Sequence, residues 1–398
     1  MRHPTNFDAR SQHMIEQGGC WPTHLQELLL KAALFRGPEA AGFFAEWEQA
    51  VGFDRLDEGS YRMLPLLGNN LLAQGVEHPM IGRLKGVHRR AWYENQMLFR
   101  SLEPVLQRLS AAGIECMLLK GAALVLQYYH DAGLRPMRDL DVLVREDQAA
   151  EAVRLLRDDG WRVLTEWPGE LTESFRRFRH AIALEHKSGR QLDLHWHVLY
   201  DCCRKGADDD FWAASVPVEL HGVPLRGLAP SDQFLHVCVH GVEWNEVAPI
   251  RWIADAVTVL RQSAELDWER ILRQIERRRL APRMRDAMHY LASKMEAPIP
   301  ENVLRRLDSL PVTRAETLEY QRAIRPHDLQ KALDTWRAIY QRHRRSAETL
   351  NPIYFVAFMR HYWNVEHAGQ FAHRIGRWIK WRIDHAPALR TPAASRRS

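Results

Sequence analysis

A chain of 398 residues with 46% hydrophobic content is long enough to bury a sizeable core, and the length fits two or three structural units. Its 55 Lys and Arg against 50 Asp and Glu leave a formal charge of +5, too mild an excess to mark a nucleic-acid binder by itself. No run approaches about 18 consecutive apolar residues, and Met1 to Asn6 lack a basic-then-apolar pattern. No transmembrane segment or export signal is therefore expected, and a cytoplasmic location is. The five cysteines (Cys20, Cys116, Cys202, Cys203 and Cys238) sit at no disulfide-framework or zinc spacing and read as packing residues.

From Trp21 to about Ala112 apolar residues recur at helical spacing, as in Leu25, Leu28, Leu29 and Ala32. Residues 1–112 are expected to form an N-terminal helical region, its helices separated at Gly37, Gly52, Gly59 and Gly68. Residues 113–229 change period and form the expected catalytic core. Strands are predicted at Ile114–Leu119, Asp139–Arg145, Trp161–Thr165, Ala181–His186 and Gln191–Leu199, with helices at Ala122–Tyr129 and Asp147–Asp158. A hairpin follows, Val216–Leu220 and Val223–Leu228, turning at His221 and Gly222. Residues 230–386 return to helical spacing, opening with Ser231 as the candidate N-cap, and 387–398 form a basic tail. The fold class that follows is α+β, a mixed sheet with helices flanked by N-terminal and C-terminal helical regions.

Asp139 and Asp141 lie two apart in an otherwise apolar strand, so their carboxylates point the same way. Such a pair repels itself unless a cation lies between, and hard oxygen ligands suit Mg²⁺ or Mn²⁺. An exposed strand end carries the same pattern, so context decides. Lys120 and Gly121 stand at a strand-to-helix turn where phosphate would bind, and Arg135 and Arg138 precede the acidic strand, where guanidinium groups could grip phosphate oxygens. Asp193, 52 residues after Asp141, interrupts another apolar strand and supplies a third carboxylate.

The run Leu119, Lys120, Gly121, then Arg135, Asp139, Leu140, Asp141 and later Asp193, Leu194, His195, Trp196 resembles the uncharacterised-nucleotidyltransferase group of the DNA polymerase beta-like nucleotidyltransferase superfamily. The resemblance covers about 90 residues well, and more weakly His236, His240, Trp252 and Asp255 in the helices beyond. Ala122 stands where the wider superfamily has a serine after its glycine, a change typical of this subgroup. The resemblance implies two-metal transfer of a nucleoside monophosphate from a nucleoside triphosphate such as ATP. Asp139 and Asp141 would bridge both ions, Asp193 would complete one of them, and Lys120, Gly121, Arg135 and Arg138 would hold the nucleotide. The acceptor (small molecule, protein or RNA) and the preferred base are not legible.

Two rivals stand beside this reading. One is a degenerate core that binds nucleotide or serves as a scaffold without turnover. The other is a metal-dependent hydrolase, because Asp193, His195 and His197 alternate along one strand and would share a face. His236 and His240, four apart on a helix, read chiefly as core histidines, and Phe234, Trp244 and Trp252 as core. Residues 373–398 carry seven Arg or Lys against Asp384 alone, with Trp378 and Trp381 among them. That segment would suit an anionic membrane or nucleic acid, or equally a helix face covered by long basic stems.

Overall fold

The computed structural model describes residues 19–51, 56–164, 170–176, 179–326 and a few positions between 369 and 380. The expected basic tail at 387–398, and all but a few positions of the 373–398 segment, lie outside the described residues.

Helix α1 (His24–Leu34) begins at Thr23. The Thr23 hydroxyl accepts from the Gln26 N–H, and the Gln26 side chain accepts in return from the Thr23 N–H. Helix α2 (Pro38–Ala50) starts at Gly37, whose φ of 83° needs a glycine. Two of the other expected glycine breaks are not breaks. Gly59 falls inside the short helix α3 (Glu58–Tyr61) and Gly68 inside α4 (Leu64–Ala73). At Gly68 a Cβ would meet the Leu84 Cβ of α5 (Ile81–Ala111) at 2.8 Å, so this glycine lets two helices cross closely. Gly52 lies outside the described residues.

The core sheet is built from β1 (Cys116–Leu119), β2 (Asp141–Val144), β3 (Trp161–Val163), β4 (Ala181–His186), β5 (Gln191–His195), β6 (Val216–Leu220) and β7 (Val223–Gly227). Its order is β3-β4-β5-β2-β1-β7-β6. Strand β1 runs antiparallel to β2 and parallel to β7, and β2 runs parallel to β5, so the sheet is mixed and the fold is α+β as expected. The connections include α6 (Lys120–Leu124), which widens into a π-turn over Val125–Tyr129, α7 (Ala149–Asp158), α8 (Glu173–Arg176) and α9 (Asp209–Ala214). His221 and Gly222 both take positive φ, 50° and 81°, as a two-residue hairpin turn requires.

Several strands are shorter than their apolar runs. Strand β2 starts at Asp141 rather than Asp139, because the chain before it is tied elsewhere. Asn95 of α5 donates to the Ala132 and Arg135 carbonyls and accepts from the Met137 N–H, and Arg251 donates to the Pro136 carbonyl. Strand β5 ends at His195, after which the Trp196 and His197 N–H groups both turn to the His180 carbonyl.

Beyond the sheet come α10 (Pro230–Gly241), α11 (Arg251–Gln262), α12 (Trp268–Arg278), α13 (Ala281–Lys294), α14 (Glu301–Ser309) and α15 (Arg314–Ala323). The expected cap at Ser231 is wrong by two residues. Ala229 caps α10 and Pro230, with its φ preset and no N–H to satisfy, takes the first position; the Ser231 hydroxyl accepts from the Asp267 N–H instead. No helix among the described residues is long and apolar enough to cross a membrane.

Alternation along the strands divides the interior into two apolar clusters. Leu118, Val142 and Leu194 pack with Leu106 and Leu156 on one side. Leu119 and Leu143 face the other, where α1 and α4 share a single core with α10, α11 and α13 through Leu29, Leu67, Phe234, Ile253 and Met284. Asp141 is two residues from Leu143, so its carboxylate points to the helical side. The polar residues of the sheet meet the helices there.

Candidate active site

Asp141 pairs in register with Asp193 on the adjacent parallel strand β5, and Leu143 pairs with His195. That register sets Asp141, Asp193 and His195 on one face, and one ligand atom from each lies within 4.8 Å of the others. Asp141 is almost wholly buried. Its Oδ1 accepts from Lys120 Nζ at 2.6 Å and is 3.0 Å from His195 Nε2. Burial alone would raise the Asp141 carboxyl, but the Lys120 ammonium and the His195 hydrogen bond outweigh it and hold the group well below the usual carboxylate range. Asp193, half-buried, moves the other way: desolvation and the neighbouring Asp141 charge raise it. Lys120, the first residue after β1, has φ of 45°, a left-handed backbone that costs a non-glycine residue about 1 kcal/mol and persists because its surroundings hold it.

Asp139 is brought near but not into this cluster. It is exposed, two residues outside the metal-sized grouping, and shares with Asp141 the lining of a cleft of about 330 Å³. The cleft is also lined by Lys120, Gly121, Arg62, Arg135, Arg138 and Arg251. Arg138 is exposed at the cleft and pairs with Glu58 at 2.8 Å, and Arg62 pairs with the same Glu58.

Arg135 differs from the expectation of a free phosphate clamp. It is 5% exposed, and its Nε and Nη2 each donate at 2.8 Å to the two carboxylate oxygens of Asp255, which also accepts from the Tyr129 hydroxyl. The pair ties α11 to the loop before β2. Gly121 lies against it: a Cβ there would come within 2.7 Å of both Arg135 Nη1 and Met137 Sδ, so this glycine is needed for packing. Burial, followed by the Arg135 charge, presses the Arg251 guanidinium downward from its ordinary value.

The expected shared face of Asp193, His195 and His197 does not exist. His197 lies beyond the end of β5, where its Nδ1 meets Asp208 Oδ2 at 2.7 Å and Asp208 also accepts from the Val198 N–H. It borders a different cavity from His195. The three-residue array of a hydrolase is therefore not assembled.

His236 is buried as expected, and its ring is pushed down to about 3 by burial and then by the Lys120 charge. His240 stacks on it at 6.1 Å and opens to the cleft. Phe234 and Trp252 are core residues, whereas Trp244 is half-buried and lines a cavity. Sequence reasoning missed Arg62, Asn95 and Arg251. Arg62 comes from the N-terminal helices, 58 residues before Lys120, and no local pattern marks any of the three.

The donor chemistry accommodates a hard divalent cation: two facing carboxylates in register, with Asp139 at the edge of the same cleft.

A mixed sheet carrying acidic residues in register beside a basic cleft is the arrangement of a nucleotidyltransferase fold. The chain matches the family of uncharacterised nucleotidyltransferases over residues 60–296, and it belongs to that family. No curated protein matches it. Among solved structures it is similar to the antibiotic-resistance factor ANT(2'')-Ia, at 15% identity over 49% of this chain and 95% of the other, TM-score 0.31. It is similar also to the lincosamide antibiotic adenylyltransferase LnuA in its lincomycin-bound form, at 16% identity over 34% and 83%, TM-score 0.25. A third is an antigenic nucleotidyltransferase-like protein from Paracoccidioides brasiliensis, at 13% identity over 55% and 95%, TM-score 0.34.

Proposed function

We propose that this protein transfers a nucleoside monophosphate from a nucleoside triphosphate to a hydroxyl acceptor. The observation that carries the reading is the register of Asp141 with Asp193 beside a cleft lined by Lys120 and four arginines. Asp141 and Asp193, with Asp139 at the edge of the cleft, would hold Mg²⁺ or Mn²⁺. Such an ion supplies charge stabilisation for the attacking and leaving oxygens of an in-line displacement at phosphorus.

The chain's own residues do the rest. Lys120, Arg62, Arg138 and Arg251 offer donors to the phosphate oxygens, and charge-assisted bonds of this kind are worth about 1.5–3 kcal/mol each. Arg135, locked to Asp255, holds the loop that carries Arg138 and Asp139. Asp193, in register beside Asp141 and with a ligand atom within 4.8 Å of it and of His195, is placed to receive the acceptor's proton.

Calorimetry tests this with Mg²⁺–ATP and the other three common triphosphates, on the wild type and on Asp141→Asn. The expected result is saturable, Mg²⁺-dependent binding that weakens at least about tenfold, or 1.4 kcal/mol, in the variant. Transfer is read by incubating each α-labelled triphosphate with a cell extract and identifying what acquires label. Tight binding with no labelled product would favour a nucleotide-binding scaffold, and equal affinity of the two proteins would remove Asp141 from the site.

A further inference from the structure

Three side chains meet between β2 and β5. Asp141 pairs with Asp193 and Leu143 with His195 across these parallel strands, so His195, two residues along from Asp193, stands on the same face. Asp141, Asp193 and His195 are the one grouping of three ligand side chains, with atoms within 4.8 Å of one another, among the described residues. Asp139 is not in it. Strand alternation would bring its carboxylate beside that of Asp141, but β2 begins only at Asp141, and the chain before it is held by Asn95 and Arg251 through the Met137 N–H and the Pro136 carbonyl. Asp139 is left exposed at the edge of the cleft.

We infer that the ion between β2 and β5 is held by Asp141, Asp193 and the imidazole of His195, not by the Asp139 and Asp141 pair, and that the nitrogen ligand makes this site select Mn²⁺ over Mg²⁺. The inference deepens the nucleotidyl-transfer reading and rests on it for the expectation of an ion. Asp139 is then free to meet an ion that arrives with the triphosphate.

The geometry and the donor chemistry both support the assignment. His195 Nε2 lies 3.0 Å from Asp141 Oδ1. Adjacent ligands in an octahedron with bonds of about 2.1 Å are about 3.0 Å apart, so the spacing already matches two neighbouring ligands of one ion. An imidazole ligates through an unprotonated nitrogen, so ligation at Nε2 places the ring proton on Nδ1. That Nδ1 is buried and has no hydrogen-bond partner, in a side chain 1% exposed. His195 borders a cavity of about 440 Å³, roomy enough for a water to accept from Nδ1, the outer contact that a ligating histidine ordinarily makes. Lys120 Nζ approaches Asp141 Oδ1 at 2.6 Å and also lines the cleft, so its ammonium can turn to the triphosphate once an ion takes over the carboxylate. Mg²⁺ keeps to oxygen donors, whereas imidazole suits first-row transition ions; of these Mn²⁺ is the one that also suits carboxylates.

The test uses the full chain, stripped with a chelator, and the variants His195→Gln and Asp139→Asn. Calorimetric titration with Mn²⁺ alone and with Mg²⁺ alone is followed by electron spin-echo spectroscopy of the bound Mn²⁺, in which a directly coordinated imidazole gives nitrogen modulation. The wild type should bind Mn²⁺ with nitrogen modulation and more tightly than Mg²⁺. His195→Gln, which offers an oxygen in place of the nitrogen, should lose the modulation and weaken Mn²⁺ by at least about tenfold while changing Mg²⁺ by less than about threefold. Asp139→Asn should keep both the modulation and the Mn²⁺ affinity. Wild-type Mn²⁺ without nitrogen modulation, no Mn²⁺ binding in the absence of nucleotide, or a site lost in Asp139→Asn but kept in His195→Gln overturns the assignment, and the first of these needs no variant to fold. Triphosphate binding measured on the same wild-type protein decides the nucleotidyl-transfer reading separately.

Discussion

Replacing Asp255 by Ala removes both acceptors of the Arg135 guanidinium and the partner of the Tyr129 hydroxyl in one step. The side chains of both Arg135 and Asp255 are 5% exposed, so water cannot take over, and an orphaned buried charge of this kind costs about 3–5 kcal/mol. Unfolding entropy of about 2.1 cal/mol/K per residue, over roughly 300 cooperatively melting residues, is about 0.6 kcal/mol/K, so the melting temperature should fall by about 5–8 °C. The triple variant Arg135→Met, Asp255→Leu, Tyr129→Phe leaves no unpaired charge. Because apolar replacement of a buried pair is often neutral or better, it should melt within about 3 °C of the wild type. Its loop before β2 loses this tie to α11 while keeping those to Asn95 and Arg251, so triphosphate affinity should still be weakened. Calorimetric melting and triphosphate titration of the three proteins make the check. A single variant that melts with the wild type, or a triple variant worse than the single one, would show that the pair does not tie α11 to the loop.

Asn95→Leu strips the Ala132 and Arg135 carbonyls and the Met137 N–H of their partner. Unsatisfied buried groups at about 1–3 kcal/mol each predict a drop of several kcal/mol by denaturant titration, and a loss under 1 kcal/mol would show that the loop finds other partners. His236 is held to about 3 in the folded chain against an ordinary 6.5, so between those values the unfolded chain binds more protons; the contribution is complete above 6.5 and lost as pH falls toward 3. From pH 7 to pH 5 His236→Leu should therefore lose about 2 kcal/mol less stability than the wild type, and parallel pH profiles would contradict the burial of a neutral ring. His197→Ala should leave nucleotide-dependent activity within about tenfold while costing about 1–3 kcal/mol of stability, because it removes one buried hydrogen-bond partner of Asp208. Activity lost with stability intact would return His197 to the reacting centre.

Local chemistry made much of this protein readable in advance. The strand at Ala181–His186 and the His221-Gly222 turn depend on neighbours two to four residues away, and the structure reproduces them. The family was legible for the same reason, since Lys120, Gly121, Asp139, Asp141 and Asp193 lie in short runs with fixed spacing. Which of those residues touch was decided elsewhere. Asp141 meets Asp193 because β2 and β5 pair in parallel across 52 residues, a register no local pattern encodes. His197 looked equivalent to His195, yet β5 stops between them once the chain turns to the His180 carbonyl, and alternation fails where the strand ends. Arg135 looked like a phosphate ligand because its partner Asp255 lies 120 residues away on a helix of the other core. A side chain's charge is a property of its sequence position, but whether that charge is spent inside the fold or offered to a ligand depends on what tertiary packing sets against it.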